Sequence, residues 1–428
     1  MPRRSFLGAT LGGAIGLTSV LTRARAADAT TGGPPLRIGV IGCGGYGRAN
    51  LNAAFKAGGV EVVGLCDVDS AHLEQTAKLV EERQGKRPRL FKLDSELLAM
   101  PELQAVVVAS PPQWHALHFL AALARGLDIY CEKPLAYDVR EGQAMVAAAR
   151  QAGRVVQIGF QRRQAEAIRQ AREYLREGMA GRIVQVEANI HYQAGMRDAT
   201  PQAPPSTLDW DRWCGPSPLL PYSPQIGHFA WRLEKETGNG HLVDWGIHLI
   251  DATRWILGED APRAVTATGG LYHFHGQITT PDILTAHFDF ASCPVTWTHR
   301  IWGAAEYTPE IANGIRFYGE KETVFVTDNR WVVIPRERGK ERREITASSD
   351  AGTAMMADFL EAVRTRRAPA CEVEDGWHST TAVQLAMISY ETGTRVVWDG
   401  ARTEIRDNAA ATRLLKREYR APWKHPYV

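Results

Sequence analysis

The sequence predicts an α/β protein in which a doubly wound parallel sheet is followed by an α/β domain with a mainly antiparallel sheet. Two observations carry this. Between residues 36 and 160, uniformly apolar runs of strand length alternate with helical patterns, the texture of parallel strands buried on both faces. Beyond residue 161 the texture changes to strand-like runs at hairpin spacing, which pair antiparallel.

Composition sets the outer bounds. The chain has 428 residues, 44% of them hydrophobic and 23% charged, with a formal charge of +2. That is an ordinary globular balance, enough for two or three domains. The basic residues are dispersed, so no nucleic-acid partner is expected. Six cysteines, Cys43, Cys66, Cys131, Cys214, Cys293 and Cys371, show no C-x-x-C spacing and no nearby histidine set of the kind zinc needs. They read as small buried apolar residues, and no metal is assigned. His273 and His275 form an H-x-H that would share one face of a strand, but no acidic or thiol partner stands near them in sequence.

The first residues read as processing rather than fold. Arg3 and Arg4 precede Ser5-Phe6-Leu7 and a Gly/Ala/Leu-rich run to about Leu21, and Ala24-Arg25-Ala26 supplies a small-x-small cleavage pattern. The run falls below the roughly 18 apolar residues of a membrane span, so no stable membrane anchor is expected. Twin arginine followed by x-Phe-Leu resembles the Tat signal, whose pathway exports folded proteins. Residues 1–26 are therefore expected to be a signal and 27–35 a flexible lead-in, placing the protein in the periplasm or otherwise outside the cytoplasm.

Residues 36–160 read as a dinucleotide-binding domain. An apolar strand over 36–41 meets Gly42-x-Gly44-x-x-Gly47, with Gly45 and Tyr46 inside the turn, and a helical pattern follows through Lys56. Between strand and helix, backbone N–H groups and the helix N-terminus can receive a pyrophosphate. The next apolar run ends at Asp67, twenty residues past Gly47, where a carboxylate can accept hydrogen bonds from both ribose hydroxyls. This favours NAD, with NADP the alternative, because a carboxylate repels a 2′-phosphate. Asp69 or Ser70 is better placed than Asp67 to cap the helix that follows, over 71–84. Strand 105–110, helix 113–125, strand 127–134, helix 139–152 and strand 155–160 complete the alternation. Ligands bind at the carboxyl ends of such strands, and Ser110, Pro111, Glu132, Lys133 and Gln161 all sit there. A lysine at that edge, Lys133 of Glu132-Lys133-Pro134, could stabilise charge on a reacting oxygen.

Residues 161–428 read as a substrate domain. A helix over 163–177 leads into the alternating run "RIVQVEANIH", a Pro-rich irregular stretch over 200–224, a helix over 241–257, and strand-like runs at 264–274, 283–290, 295–302, 314–319 and 322–328. Asp244 and His248 stand four residues apart on one helix face, with Asp251 a turn further. An imidazole of near-neutral pKa suits removal of a hydroxyl proton, and a carboxylate one turn away can orient or share that proton. Trp245 and Trp255 are expected in the core or an interface.

The ordered set of Gly-rich turn, E-K-P and D-x-x-x-H resembles the Gfo/Idh/MocA oxidoreductases, and the likeness extends to "DFLEAVRTRRAPACEVEDGWHSTTAVQLAMISYETGTRVVWD" near the end. The resemblance implies a Rossmann domain and a second domain with an open sheet often used for oligomerisation, hence a homodimer or homotetramer. It implies that Lys133, Asp244 and His248 are the catalytic set, that His115 and Glu132 lie on the cofactor side, and that Trp231-Arg232 reaches cofactor or substrate. Leu242-Val243 stand where many members carry a Gly-rich approach to the motif. The substrates implied are sugars, cyclitols and their derivatives, for which Arg163, Tyr192, Trp210, Trp213 and Tyr222 are candidate contacts. Members that only sense sugars or nucleotides typically lose the lysine or histidine; this chain keeps both, so an enzyme is expected.

Export and a nicotinamide cofactor are compatible if the cofactor binds before transport and stays bound. Its hydride must then be returned on the protein. Two chemistries do this: oxidation of one sugar coupled to reduction of another carbonyl compound, or glycoside hydrolysis by transient oxidation, elimination, water addition and re-reduction.

Overall fold

The computed structural model describes residues 33–304 and 312–428. The signal expected at 1–26, and the lead-in up to residue 32, lie outside the described residues. Strands β1 (Leu36–Ile41), β2 (Val60–Cys66), β3 (Arg89–Phe91), β4 (Ala105–Val108), β5 (Asp128–Cys131) and β6 (Val156–Ile158) form a six-stranded sheet in the order β3-β2-β1-β4-β5-β6, every pair parallel. Helices α1 (Gly45–Ala57), α2 (Ser70–Gln84), α3 (Asp94–Leu98), α4 (Pro112–Ala124) and α5 (Val139–Ala152) connect them. The strand order reverses between β1 and β4, which opens a crevice at their carboxyl ends. Asp69 caps α2 by accepting the Ala71 N–H, as the sequence suggests, and Asp138 caps α5 through the Glu141 N–H. β3 was not foreseen: its three residues carry neither an apolar run nor full burial.

After a 3₁₀ turn at Gln161–Gln164 and helix α6 (Glu166–Arg176), the chain builds a second sheet. Its strands are β7 (Ile183–His191), β8 (Ala264–Gly270), β9 (Ile283–Asp289), β10 (Pro294–Arg300), β11 (Asn313–Gly319), β12 (Glu322–Val326), β13 (Arg330–Pro335), β14 (Arg343–Thr346), β15 (Val396–Asp399) and β16 (Glu404–Ile405). The order is β14-β13-β12-β11-β7-β10-β9-β8-β15-β16, antiparallel throughout except for the parallel β7–β10 pair. Register follows burial. Ala188, Trp297 and Ala286 sit side by side on the buried face, while Glu187, Thr296 and His287 occupy the other. A slip of one residue would exchange those sets, so the apolar face pins the pairing.

Helix α7 (Trp210–Cys214) is a single short turn, and α8 (Ile247–Leu257) packs on β7 and β11 of the buried face. Helices α9 (Ala351–Thr365) and α10 (Val373–Thr392) reach back to the first sheet's helices: α9 packs on α1, and α10 packs on α5 as well as α8. Two sequence expectations change here. The strand expected over 264–274 stops at Gly270 because the Asp282 carboxylate accepts the backbone N–H groups of Tyr272, His273 and Phe274. His273 and His275 therefore lie on a loop, and His273 stacks on Trp302. The helix expected over 241–257 opens with a wide π-type turn at Leu242–Gly246 before α8 begins. Gly246 permits that turn to sit on β10, since a Cβ there would lie 2.7 Å from the Trp297 ring. All six cysteines are buried and unpaired.

The Arg163 side chain, proposed from sequence as a sugar contact, belongs instead to a buried ion network. Its guanidinium binds Asp251 through two nitrogens and Asp375 through the third. Asp251 also accepts the Ser379 hydroxyl (2.6 Å), and Arg254 donates to Ser379 (3.0 Å) and to Asp375. Asp251 has 0% of its surface exposed and Arg163 3%, so neither can meet a substrate. Stripping one partner from such a network leaves a buried charge uncompensated. Arg163→Ala is expected to lower unfolding free energy by about 3–5 kcal/mol in chemical denaturation. A variant of unchanged stability with a raised sugar KM would return Arg163 to the substrate.

Candidate active site

The Gly-rich turn closes the first crossover onto the sheet. Gly42 has φ +94°, and a Cβ on it would lie 2.6 Å from the Ala109 backbone; a Cβ on Gly47 would lie 1.9 Å from the Gly42 carbonyl oxygen. Only glycine fits either place. A Cβ on Gly45 would meet nothing within 4 Å, because that stretch of backbone faces a cavity of about 360 Å³. Gly44, Tyr46, Asp67, Ser110 and Pro111 line the cavity from the first half of the chain, and Arg212, Trp213, His228, Trp231 and Arg232 from the second. At the end of β2 the Asp67 carboxylate accepts the Cys43 N–H (2.7 Å) and the Asp69 N–H (2.8 Å). Burial raises its pKa, against the pull of those two N–H groups and of His72 and His228. A glycine-rich turn at a helix N-terminus, with a partly dehydrated carboxylate twenty residues on, fits a dinucleotide whose ribose hydroxyls donate to Asp67.

Lys133 follows β5 on a loop held from below. Glu132 is buried and accepts from Asn50 Nδ2 (3.0 Å), Gln161 Nε2 (3.1 Å) and the Lys133 N–H (3.3 Å), while burial pushes its carboxyl pKa up to about 7. His115 lies between the carbonyl oxygens of Ser110 and Pro134, 2.7 Å from each. Burial pulls its pKa down to about 4, although both carbonyls favour the charged ring. From α10, Thr380 Oγ1 accepts the Leu135 N–H and Gln384 Nε2 donates to the Ala136 carbonyl. The resemblance put His115 and Glu132 on the cofactor side. Both are buried away from the cavity wall, where they carry the loop that presents Lys133.

That loop points Lys133 at the π-type turn. Lys133 Nζ donates to the Asp244 carbonyl oxygen (2.7 Å) and to Asp244 Oδ1 (2.9 Å), and Arg232 Nε donates to the same Oδ1 (3.1 Å). Burial would raise the Asp244 pKa, but Lys133 and then Arg232 outweigh it and hold the carboxyl below its ordinary value. The expected pairing of Asp244 with His248 is not made. The wide turn takes Asp244 off the His248 face and gives it to the two cations. His248 is buried, its Nδ1 has no hydrogen-bond partner, and burial, Lys133 and Arg162 together drive its pKa well below the ordinary imidazole value. The result is a buried imidazole whose neutral form is favoured and whose Nδ1 is unengaged.

The remaining candidates divide. Tyr192 packs at 5.2 Å from both His241 and Trp245, and burial, with the Asp244 carboxylate adding to it, raises its phenol pKa to about 12. Trp245, expected in the core or an interface, is 37% exposed beside it and so lies outside the core. Trp213 stacks on Trp210 (4.5 Å) and walls the cofactor cavity, while Tyr222 packs edge-on against Trp210, off the cavity wall. The sequence reading missed Trp114 and His118, stacked at 4.8 Å on the cavity wall, and it missed His72 and His228. Trp114 and His118 stand four apart at the start of α4, hence on one helix face, a legible signal; His228 sits in an irregular stretch with no period to betray it.

Fold and cleft together define a two-domain NAD-binding oxidoreductase. The family model described as the oxidoreductase family's NAD-binding Rossmann fold matches residues 36–160, and that of the family's C-terminal alpha/beta domain matches 206–397. The chain belongs to the Gfo/Idh/MocA oxidoreductase family, whose curated members include sugar and polyol dehydrogenases. D-glucoside 3-dehydrogenase of Escherichia coli (strain K12) is 26% identical over 385 residues, 85% of this chain and 97% of its own. Inositol 2-dehydrogenase of Agrobacterium fabrum is 38% identical over 130 residues, 30% of this chain and 38% of its own. Among solved structures, levoglucosan dehydrogenase in complex with NADH and levoglucosan has a TM-score of 0.68 at 18% identity, covering 85% of this chain and 100% of that one. The aldose-aldose oxidoreductase from Caulobacter crescentus gives 0.67 at 20% identity over 85% and 100%.

Gly47→Ala is expected to abolish NAD binding, because the added methyl cannot coexist with the Gly42 carbonyl. Titration of the purified variant with NADH, followed by nicotinamide fluorescence, checks this; wild-type affinity would contradict it.

Proposed function

We propose that the protein oxidises a secondary hydroxyl of a sugar or sugar derivative, with NAD retained between turnovers. The observation that carries this reading is Lys133 held on Asp244 at the carboxyl edge of the parallel sheet, linked through Arg232 to the dinucleotide cleft, with the buried His248 and its unpartnered Nδ1 four residues on. An ammonium group has three donors. Asp244 occupies two of those on Lys133, which leaves one for a substrate oxygen. His248, kept neutral by burial and by the cations near it, accepts the hydroxyl proton on an imidazole nitrogen while Lys133 holds the oxygen that loses it. Asp244 keeps the ammonium aimed, and Arg232 steadies Asp244. Bound nicotinamide supplies the hydride acceptor. Tyr192 and the exposed ring of Trp245 offer an amphipathic surface suited to a sugar face.

Retention of the cofactor is supported by the cleft's two-sided wall and by the twin-arginine segment, whose export route carries folded proteins. We place the mature protein outside the cytoplasm, as a homo-oligomer using the polar face of the ten-stranded sheet. With no exchange of NAD, a second carbonyl compound takes the hydride back.

Mature protein that is dialysed and then denatured is expected to release NAD(H) near one per chain, and the native protein to turn over sugar pairs with none added. Lys133→Ala and His248→Ala should each lose at least about a hundredfold in turnover while still carrying the cofactor. Wild-type turnover in either variant would remove the assigned roles. An empty wild-type site would remove retention, and glycoside hydrolysis without net oxidation would replace the sugar-pair reaction.

A further inference from the structure

We infer that His228 is a positioning residue for the cofactor, latching the segment 205–232 across the ribose end of the cleft so that NAD leaves slowly. The inference rests on the retained-cofactor reading. The segment's first part lies along the loop between β2 and α2: the Ser70 N–H donates to the Thr207 carbonyl (3.0 Å) and the Asp209 N–H to the Val68 carbonyl (3.0 Å). Its foot is stapled from two directions. Trp114 Nε1 donates to the Arg212 carbonyl (3.0 Å), and from the C-terminal tail Arg420 binds Asp211 (2.6 Å) and the carbonyl oxygens of Gly215 and Ser217.

Further along, the segment touches the first half again through His228. His228 Nε2 lies 2.9 Å from Asp69 Oδ2, and its ring centroid is 4.2 Å from that of His72. Asp69 divides its labour: Oδ1 caps α2 through the Ala71 N–H (2.9 Å), and Oδ2 is left for His228. His72, His228 and Asp67 line the same cavity. Three residues beyond the latch, Trp231 and Arg232 continue the wall toward Asp244.

The backbone says why the side chain is there. His228 has φ 61° and ψ 2°, in the left-handed region where a residue with a Cβ is strained and glycine or asparagine is at ease. Such strain persists only where contacts over-determine it. Glycine or asparagine would meet the same backbone; what histidine adds is its bond to Asp69 and the tilted contact of its ring with His72. A dinucleotide whose ribose sits at Asp67 must part this contact to leave.

The test is the rate at which cofactor on the full mature holoenzyme exchanges with labelled NAD, in wild type, His228→Gly and His228→Gln. Glycine is at ease on the left-handed backbone and lacks the donor, whereas the glutamine Nε2 has the reach of the histidine Nε2 and keeps an N–H for Asp69. His228→Gly is expected to exchange at least about tenfold faster than wild type, the weight of one hydrogen bond to a charged group, and His228→Gln to recover most of that difference. Equal rates for His228→Gly and wild type, or for the two variants, would overturn the latch. The wild-type rate by itself judges retention: exchange within one turnover would refute the retained cofactor, whereas the ratio of rates judges His228.

Discussion

The ion triad of Lys133, Asp244 and Arg232 is the constraint on which the site depends. Lys133 comes from the carboxyl edge of the parallel sheet and Asp244 from a turn about a hundred residues later, so this contact ties the cofactor cleft to the second half at the place where the chemistry would occur. Charges taken out of water are tolerable only when paired and hydrogen-bonded, so the carboxylate must have its cations and the ammonium must have its acceptors. Much of the surrounding structure serves that demand: Glu132 and His115 under the loop, Thr380 and Gln384 beside it, and a π-type turn that swings Asp244 out of line with His248.

A second buried network, Arg163 and Arg254 with Asp251 and Asp375, uses the same residue types a short distance along the chain and does something different. Its groups are engaged with one another and with Ser379, so it fixes α8 to α10 and offers nothing to a ligand. At the triad the accounts do not close. Lys133 has a donor to spare, His248 Nδ1 has no partner, and His241 Nε2 nearby has none either. Buried polar atoms left without partners are uncommon, and here two imidazole nitrogens of that kind stand on the segment that carries Asp244.

The first half of the fold was legible because its signals are local. A strand, a Gly-x-Gly-x-x-Gly turn and Asp67 at the right distance follow from steric rules that act over a few residues. The alternating runs of β7, β9 and β10 were equally readable. What escaped was set by distant partners: Arg163 looked free until Asp251 and Asp375 enclosed it, the 264–274 strand ended early because Asp282 captured its N–H groups, and Asp244 abandoned its helical neighbour for Lys133. The residues closing the cavity from the irregular 205–232 stretch carried no periodicity at all, so only the folded chain brings His228 and Trp213 to the cofactor side.

The measurement closest to the central claim is the titration of the His248 imidazole in solution, followed by NMR on mature protein labelled at histidine and assigned with His248→Gln. Burial and the neighbouring Lys133 and Arg162 disfavour the charged ring, so the account predicts a neutral imidazole well below the usual value of about 6.5, moving upward in Lys133→Met. Titration at or above 6.5 in the wild type, or no response to loss of Lys133, would contradict it.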